Sequence, residues 1–170
     1  YSQMLKDEVA LSKEKMKKIN IEPIIQSVVD DYNSIYKVKK DIKINYENDG
    51  KKEYSINGIE NRIEQMIANL LDNSISFTEK GGKIIVNISI SSNRKITVKI
   101  IDEGQGFKEK DTSKIFRRFY SNRPDKFGEH SGLGLNIVKN LVELHDGKIL
   151  ASNRPNNKGA IIEISFPSMQ

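Results

Sequence analysis

The chain contains no cysteine and no tryptophan, and only two histidines and four prolines in 170 residues. Without cysteine, disulfides, thiol catalysis and thiolate metal sites are all excluded, which fits a reducing cytosol. No stretch approaches the ~18 uninterrupted apolar residues of a membrane span, and the first residues hold no signal-type apolar core. If the parent protein sits in a membrane, its membrane part is expected outside this chain. Charge of one sign is also lacking: 28 Lys and Arg stand against 23 Asp and Glu, interspersed along the sequence. A nucleic-acid binder concentrates its basic residues on one face or tail. Here the longest basic cluster, Lys13 to Lys18, is broken by Glu14 and Met16.

What remains is one domain's worth of chain with some flanking structure. A chain of this length buries roughly 70% of its unfolded surface, enough for a core without staples. Leu5, Val9, Met16 and Ile19 fall at helical spacing, so residues 1–19 read as the end of an amphipathic helix. Glu22-Pro23 opens a second helix, whose apolar stripe runs through Ile24, Ile25, Val28, Val29 and Tyr32 to about Ile35. Ile42, Ile44 and Tyr46 alternate as a strand before Asn48-Asp49-Gly50, and Tyr54 to Asn57 reads as its partner. A long helix follows from Ile59 to near Thr78, then strands 83–91 and 95–101. Residues 102–131 hold three glycines and little periodicity, a length that marks a functional loop. A helix from Ser131 to about His145 and strands 148–152 and 160–166 close the chain. The order predicts an α+β sandwich.

Four pieces carry chemistry. Asn69 and Asn73 are four residues apart on the long helix and share a face with Arg62 and Gln65. Their amide oxygens suit Mg²⁺, which takes its other ligands from phosphates and water, although plain solvent-facing asparagines remain the alternative. Asp102-Glu103-Gly104-Gln105-Gly106 ends a strand. A carboxylate there can accept from the adenine amine while Gly104 and Gly106 let the backbone approach the ring, or the segment is simply a turn. Gly132-Leu133-Gly134-Leu135 opens a helix, where backbone N–H groups bind phosphate. It lacks the spacing of either common glycine-rich nucleotide motif. Ile115-Phe116-Arg117-Arg118-Phe119-Tyr120 pairs aromatic anchors with arginines, either phosphate-binding or exposed over a small staple.

Their order and spacing resemble the nucleotide-binding half of sensor histidine kinases, within the gyrase, Hsp90, kinase and MutL superfamily. Asn69 to Thr78 resembles that family's N box, Asp102 to Gly106 its G1 box, Phe116 to Phe119 its F box, and Gly132 to Leu135 its G2 box. The likeness covers about residues 20–167. Ser76-Phe77, the run Phe119 to Pro124 with Phe127-Gly128, and Ser131 to Leu135 look like ChvG-type envelope-sensing kinases of alphaproteobacteria. The resemblance implies a two-layer sandwich of a mixed, mostly antiparallel sheet packed on helices, the Bergerat-type ATP-binding fold. It implies a linker or dimerisation-helix end over residues 1–19 and a catalytic ATP-binding domain over 20–170, with a lid at about 107–131.

By the same resemblance ATP and Mg²⁺ are the cofactors. Asn73 is the metal ligand and Asn69 lies near the phosphates. Asp102 takes the adenine amine, with Gly104 and Gly106 beside the ring. Arg118 or Arg123 meets the γ-phosphate, and Gly132, Leu133, Gly134 and Leu135 form the phosphate backbone. Asn69 and Arg118 would serve the transfer itself. Two departures stand out: Ser76-Phe77 replaces the usual Lys-Tyr, leaving Lys80, Arg118 or Arg123 to supply the cation, and Ala160 replaces a frequent threonine. No H-[DE]-x-x-P phosphoacceptor occurs. His130 falls in the lid, and His145 falls at a helix end, where partial charge would favour the dipole. The implied parent is an inner-membrane-anchored kinase with this domain in the cytoplasm. Its partners would be a histidine-bearing dimerisation domain and a response regulator, with no nucleic acid. A gyrase-type clamp would want a glutamate where Asn69 stands. A degenerate module that docks partners without turnover is the remaining alternative.

Overall fold

The computed structural model describes residues 15–108, 115–116, 133–155 and 158–169. Among them the strands are β1 (Lys17–Asn20), β2 (Lys43–Asn48), β3 (Ser55–Gly58), β4 (Lys83–Ile90), β5 (Lys95–Asp102), β6 (Lys148–Asn153) and β7 (Ala160–Pro167). The helices are α1 (Glu22–Lys40), α2 (Glu60–Phe77) and α3 (Leu133–Leu144).

Five strands form one sheet in the order β2-β4-β5-β7-β6. β2 pairs parallel to β4 and the other neighbours are antiparallel, giving the expected mixed sheet. Alternation decides which face is covered. Val86, Ile100 and Ile162 fall in register across three strands, as do Ile88, Val98 and Ile164, and all six are buried. The helices cover this face with Ile25, Val28 and Val29 from α1, Ile63, Met66, Ile67, Leu70 and Leu71 from α2, and Val138, Leu141 and Val142 from α3. The result is the two-layer α+β sandwich anticipated from the motifs.

Three expectations about the secondary structure change. Met16 and Ile19 do not continue a helix, because Lys17–Asn20 is extended and pairs antiparallel with β3, placing Ile19 opposite Ile56. Asn20 locks this junction: its Oδ1 accepts the Glu22 and Tyr54 N–H groups, at 3.3 and 3.1 Å. The partner of β3 is thus β1 rather than β2. Third, α1 runs to Lys40 instead of Ile35. Lysines at 37, 39 and 40 are adequate helix formers and suit the negative end of the dipole, and the stop comes from Asp41 in a left-handed conformation (φ 52°).

α2 begins without a side-chain cap of its own. His145, just past α3, supplies one from outside. Its Nε2 accepts the Ile59 N–H at 3.2 Å, and its Nδ1 donates to the Leu141 carbonyl at 2.8 Å. That pair of partners requires the neutral ring, and burial pushes its pKa below the ordinary 6.5. The charged, dipole-favouring imidazole expected from the sequence is therefore corrected to a buried neutral bridge between helices. The sign follows from linkage: a depressed folded-state pKa stabilises the fold above about pH 6.5 and ceases to do so as pH falls through the folded value. Thermal unfolding followed from about pH 7.5 to 5 should show an acid-side loss that His145→Gln reduces. Parallel curves for the two proteins would contradict the bridge.

Candidate functional site

Asp102 is the last residue of β5 and only 1% exposed. Its Oδ1 accepts two backbone N–H groups, from Gly104 at 2.8 Å and Ala160 at 3.2 Å. The first turns the chain sharply out of the strand. The second ties the turn to the start of β7, 58 residues later. Ala160, where a threonine was noted as missing, thus contributes through its backbone.

Two glycines, Gly106 in this turn and Gly159 beside it, are required by space. Gly106 has φ +77°, and a Cβ there would sit 2.5 Å from Asn153 Oδ1. Gly159 has φ +134°, and its Cβ would fall 2.0 Å from the Asp102 carbonyl oxygen. Asn153 holds the far end of the turn: its Oδ1 accepts the Phe107 N–H at 2.6 Å and its Nδ2 donates to the Phe107 carbonyl at 3.0 Å. Asn153 and Gly159 were not singled out in the sequence. A glycine directly before the last strand was the one available signal, and Asn153 had none.

α2 packs against both β5 and α3, so the asparagine helix adjoins the Asp102 strand and the helix of the second glycine pair. Asn73 is 4% exposed and Asn69 is half-buried. Farther along the same helix Arg62 donates to Gln65, keeping the polar line expected there. Ser76 turns its hydroxyl onto its own helix, donating to the Asn73 carbonyl at 2.8 Å. α2 carries no basic residue in its last turn, and a neighbour makes this good: Lys40 Nζ donates to the Ile75 carbonyl at 2.8 Å, while burial lowers its pKa. Thr78, fully buried, closes the helix by donating to the Ser74 carbonyl at 2.7 Å.

On α3, a Cβ at Gly134 would meet no atom of another described residue within 4 Å outside its own helix's backbone. The Leu135 side chain belongs to the core, leaving only its backbone to face a ligand. Ile115 and Phe116 are buried, and Asn136 Nδ2 donates to the Phe116 carbonyl at 3.3 Å. Arg118, Arg123, Gly132, His130 and nearly all of the expected lid lie outside the described residues. A separate cavity of about 810 Å³ opens at the other end of α2, lined by Lys15, Lys17, Ile59, Glu60 and Glu64. It contains none of the motif residues.

Among the described residues no helix is long and apolar enough to cross a membrane. The ChvG sensor protein of Agrobacterium fabrum is 35% identical over 155 residues, covering 87% of this chain but 26% of that protein. The KdpD sensor protein of Clostridium acetobutylicum is 42% identical over 108 residues, 62% of this chain and 12% of its own. The chain thus spans about a quarter of the ChvG relative's length. The solved catalytic domain of histidine kinase ThkA superposes with a TM-score of 0.77 at 26% identity, over 91% of this chain and 96% of that one. The mycobacterial sensor histidine kinase MprB shares the fold with a TM-score of 0.75 at 22% identity, over 90% and 97%. Residues 58–170 match the family described as histidine kinase-, DNA gyrase B-, and HSP90-like ATPase, and the chain belongs to it, with ChvG and other sensor histidine kinases as relatives.

Proposed function

We propose that this chain binds Mg-ATP and delivers the γ-phosphoryl group to a histidine on the dimerisation helices of its own kinase. The observation that carries the reading is the buried Asp102 carboxylate, oriented by two backbone amides beside a glycine turn. Such a carboxylate accepts from the exocyclic amine of adenine and repels the guanine carbonyl at the same edge. Asn69 and Asn73 would face the phosphates, and the helix-start backbone at Gly134 would bind them. Arg118 or Arg123 would neutralise the γ-phosphate.

The donor set fits Mg²⁺ as a phosphate-borne ion. Among the described residues no three His, Cys, Asp or Glu side chains converge. A hard cation would therefore rest on the Asn73 amide oxygen and on oxygens that arrive with the nucleotide. Bound there, it would neutralise charge developing on the transferred group. Asn73→Ala should weaken Mg-ADP by on the order of tenfold or more relative to metal-free ADP, while Asn73→Asp should keep the metal preference. Titrations with and without Mg²⁺ read this directly. An equal loss in both would make Asn73 structural.

The transfer breaks the bond from the γ-phosphorus to the bridging oxygen, which leaves with ADP, and forms a phosphorus–nitrogen bond on an imidazole that loses its proton. The chain's contribution is positioning and charge. A solved complex of ThkA with the response regulator TrrA supports a response regulator as the downstream partner. A location on the cytoplasmic side of a membrane-anchored parent is what the resemblance to ChvG-type envelope-sensing kinases implies. The turned-in hydroxyl of Ser76 favours a second reading, nucleotide binding without turnover.

Radiolabelled ATP, this chain and the parent's dimerisation helices as a separate piece decide between them. Acid-labile label should appear on the helices and not on this chain, far more slowly than within one molecule. No label on the helices, with ATP demonstrably bound, would favour the second reading. Label on this chain, abolished by His130→Ala or His145→Ala, would overturn the first.

A further inference from the structure

Asn153 ends the edge strand β6, yet its side chain is engaged elsewhere. One planar amide holds both backbone groups of Phe107, 46 residues earlier, as a neighbouring strand would. Strand pairing does not demand this, since β6 is already satisfied by β7 through Asn153 opposite Ala160. The same β6–β7 hairpin therefore fixes both ends of the glycine turn. The Ala160 amide holds Asp102 at its start, and Asn153 holds Phe107 at its finish. Between them lie Gly104 and Gly106, which have the widest conformational freedom of any residue type. Gly106 also packs beneath Asn153 closely enough to exclude any side chain.

We infer that Asn153 is a specificity-determining positioning residue, which holds the Gly104–Gly106 backbone in the form that admits adenine and rejects guanine. It acts through the turn and does not touch the base. The inference rests on the proposed role of Asp102 as acceptor of the adenine amine. Discrimination at that edge needs the carboxylate and the ring to keep a fixed relation. With one end of the turn released, the ring can shift and the carboxylate can swing, so the penalty against a guanine carbonyl is relaxed.

The test is a pair of variants read by ADP and GDP titration and by thermal unfolding without ligand. Asn153→Ala removes both bonds and should raise the ADP dissociation constant about tenfold, as expected for losing two hydrogen bonds, while GDP changes less. The ADP-to-GDP preference should therefore narrow. Asn153→Asp keeps an acceptor for the Phe107 N–H but loses the donor, so it should fall between wild type and alanine, and it carries the test if the alanine variant does not fold. A purely structural role would lower the unfolding temperature and leave the preference intact, and that result would overturn the inference. Wild-type protein that binds ADP and GDP alike would overturn the reading of Asp102 itself, and this inference with it.

Discussion

Asp102→Asn should cost on the order of 1.5–3 kcal/mol of ATP or ADP binding, the worth of a hydrogen bond to a charged group. Asparagine can still accept the Gly104 and Ala160 amides through its one oxygen, so the turn should survive. What it loses is the second carboxylate oxygen, now a donor that opposes the adenine amine. The fold should stay within a few degrees of its original unfolding temperature, which separates the effect from general damage. In the unaltered chain, GTP should fail to compete with a fluorescent ATP analogue. Equal competition by ATP and GTP would remove Asp102 from the base site.

Gly159→Ala should be more damaging still, because it injures site and fold together. The added methyl would lie 2.0 Å from the Asp102 carbonyl oxygen and 2.7 Å from Arg154 Cδ, at a φ of +134° that side chains rarely adopt. Relief requires the start of β7 to retreat from β5, which breaks the Ala160 bond to Asp102. Overpacking and backbone strain together put the cost at about 3 kcal/mol or more, with nucleotide binding lost. Gly50→Ala is the control. It shares a positive φ, +76°, but a methyl there meets no described residue within 4 Å, so about 1 kcal/mol and unchanged affinity are expected. Denaturant unfolding and ADP titration of both variants decide the matter. Similar behaviour of the two would mean that Gly159 is not pressed against the site.

Much of this was legible where a pattern is long and local. α2 keeps its apolar stripe for five turns and β5 alternates throughout, so both were placed to within two residues. The motif order pointed to the family because the first, second and fourth motifs each fall on or at the end of an element with an independent signal. Residues 16–19 misled because two apolar positions three apart cannot distinguish a helix from an edge strand, and the choice is made by β3, forty residues away. Partner choice is non-local in the same way for β2, whose parallel neighbour β4 nothing in its six residues announces. His145 and Lys40 escaped for a related reason. Each serves the end of a helix to which it does not belong, the N-terminus of α2 for one and its C-terminus for the other. Sequence proximity suggested a dipole partner on its own helix for His145, and Lys40 fell past the expected end of α1.

The bracketing of the glycine turn by β6 and β7 also orders events during synthesis. A ribosome releases the N-terminal part first, at ~5–20 residues per second. α2, β4 and β5 can therefore emerge and meet while residues 153–160 are still unmade. At that stage Asp102 lacks the Ala160 amide and Phe107 lacks Asn153, so the turn has neither of its hairpin anchors. The central strand β5 is likewise missing its neighbour β7. A nascent chain should thus acquire nucleotide affinity in one late step, when the final hairpin docks. Until then ATP, abundant as it is, has nothing to stabilise, and the half-made sheet with its open β5 edge depends on its own hydrophobic packing.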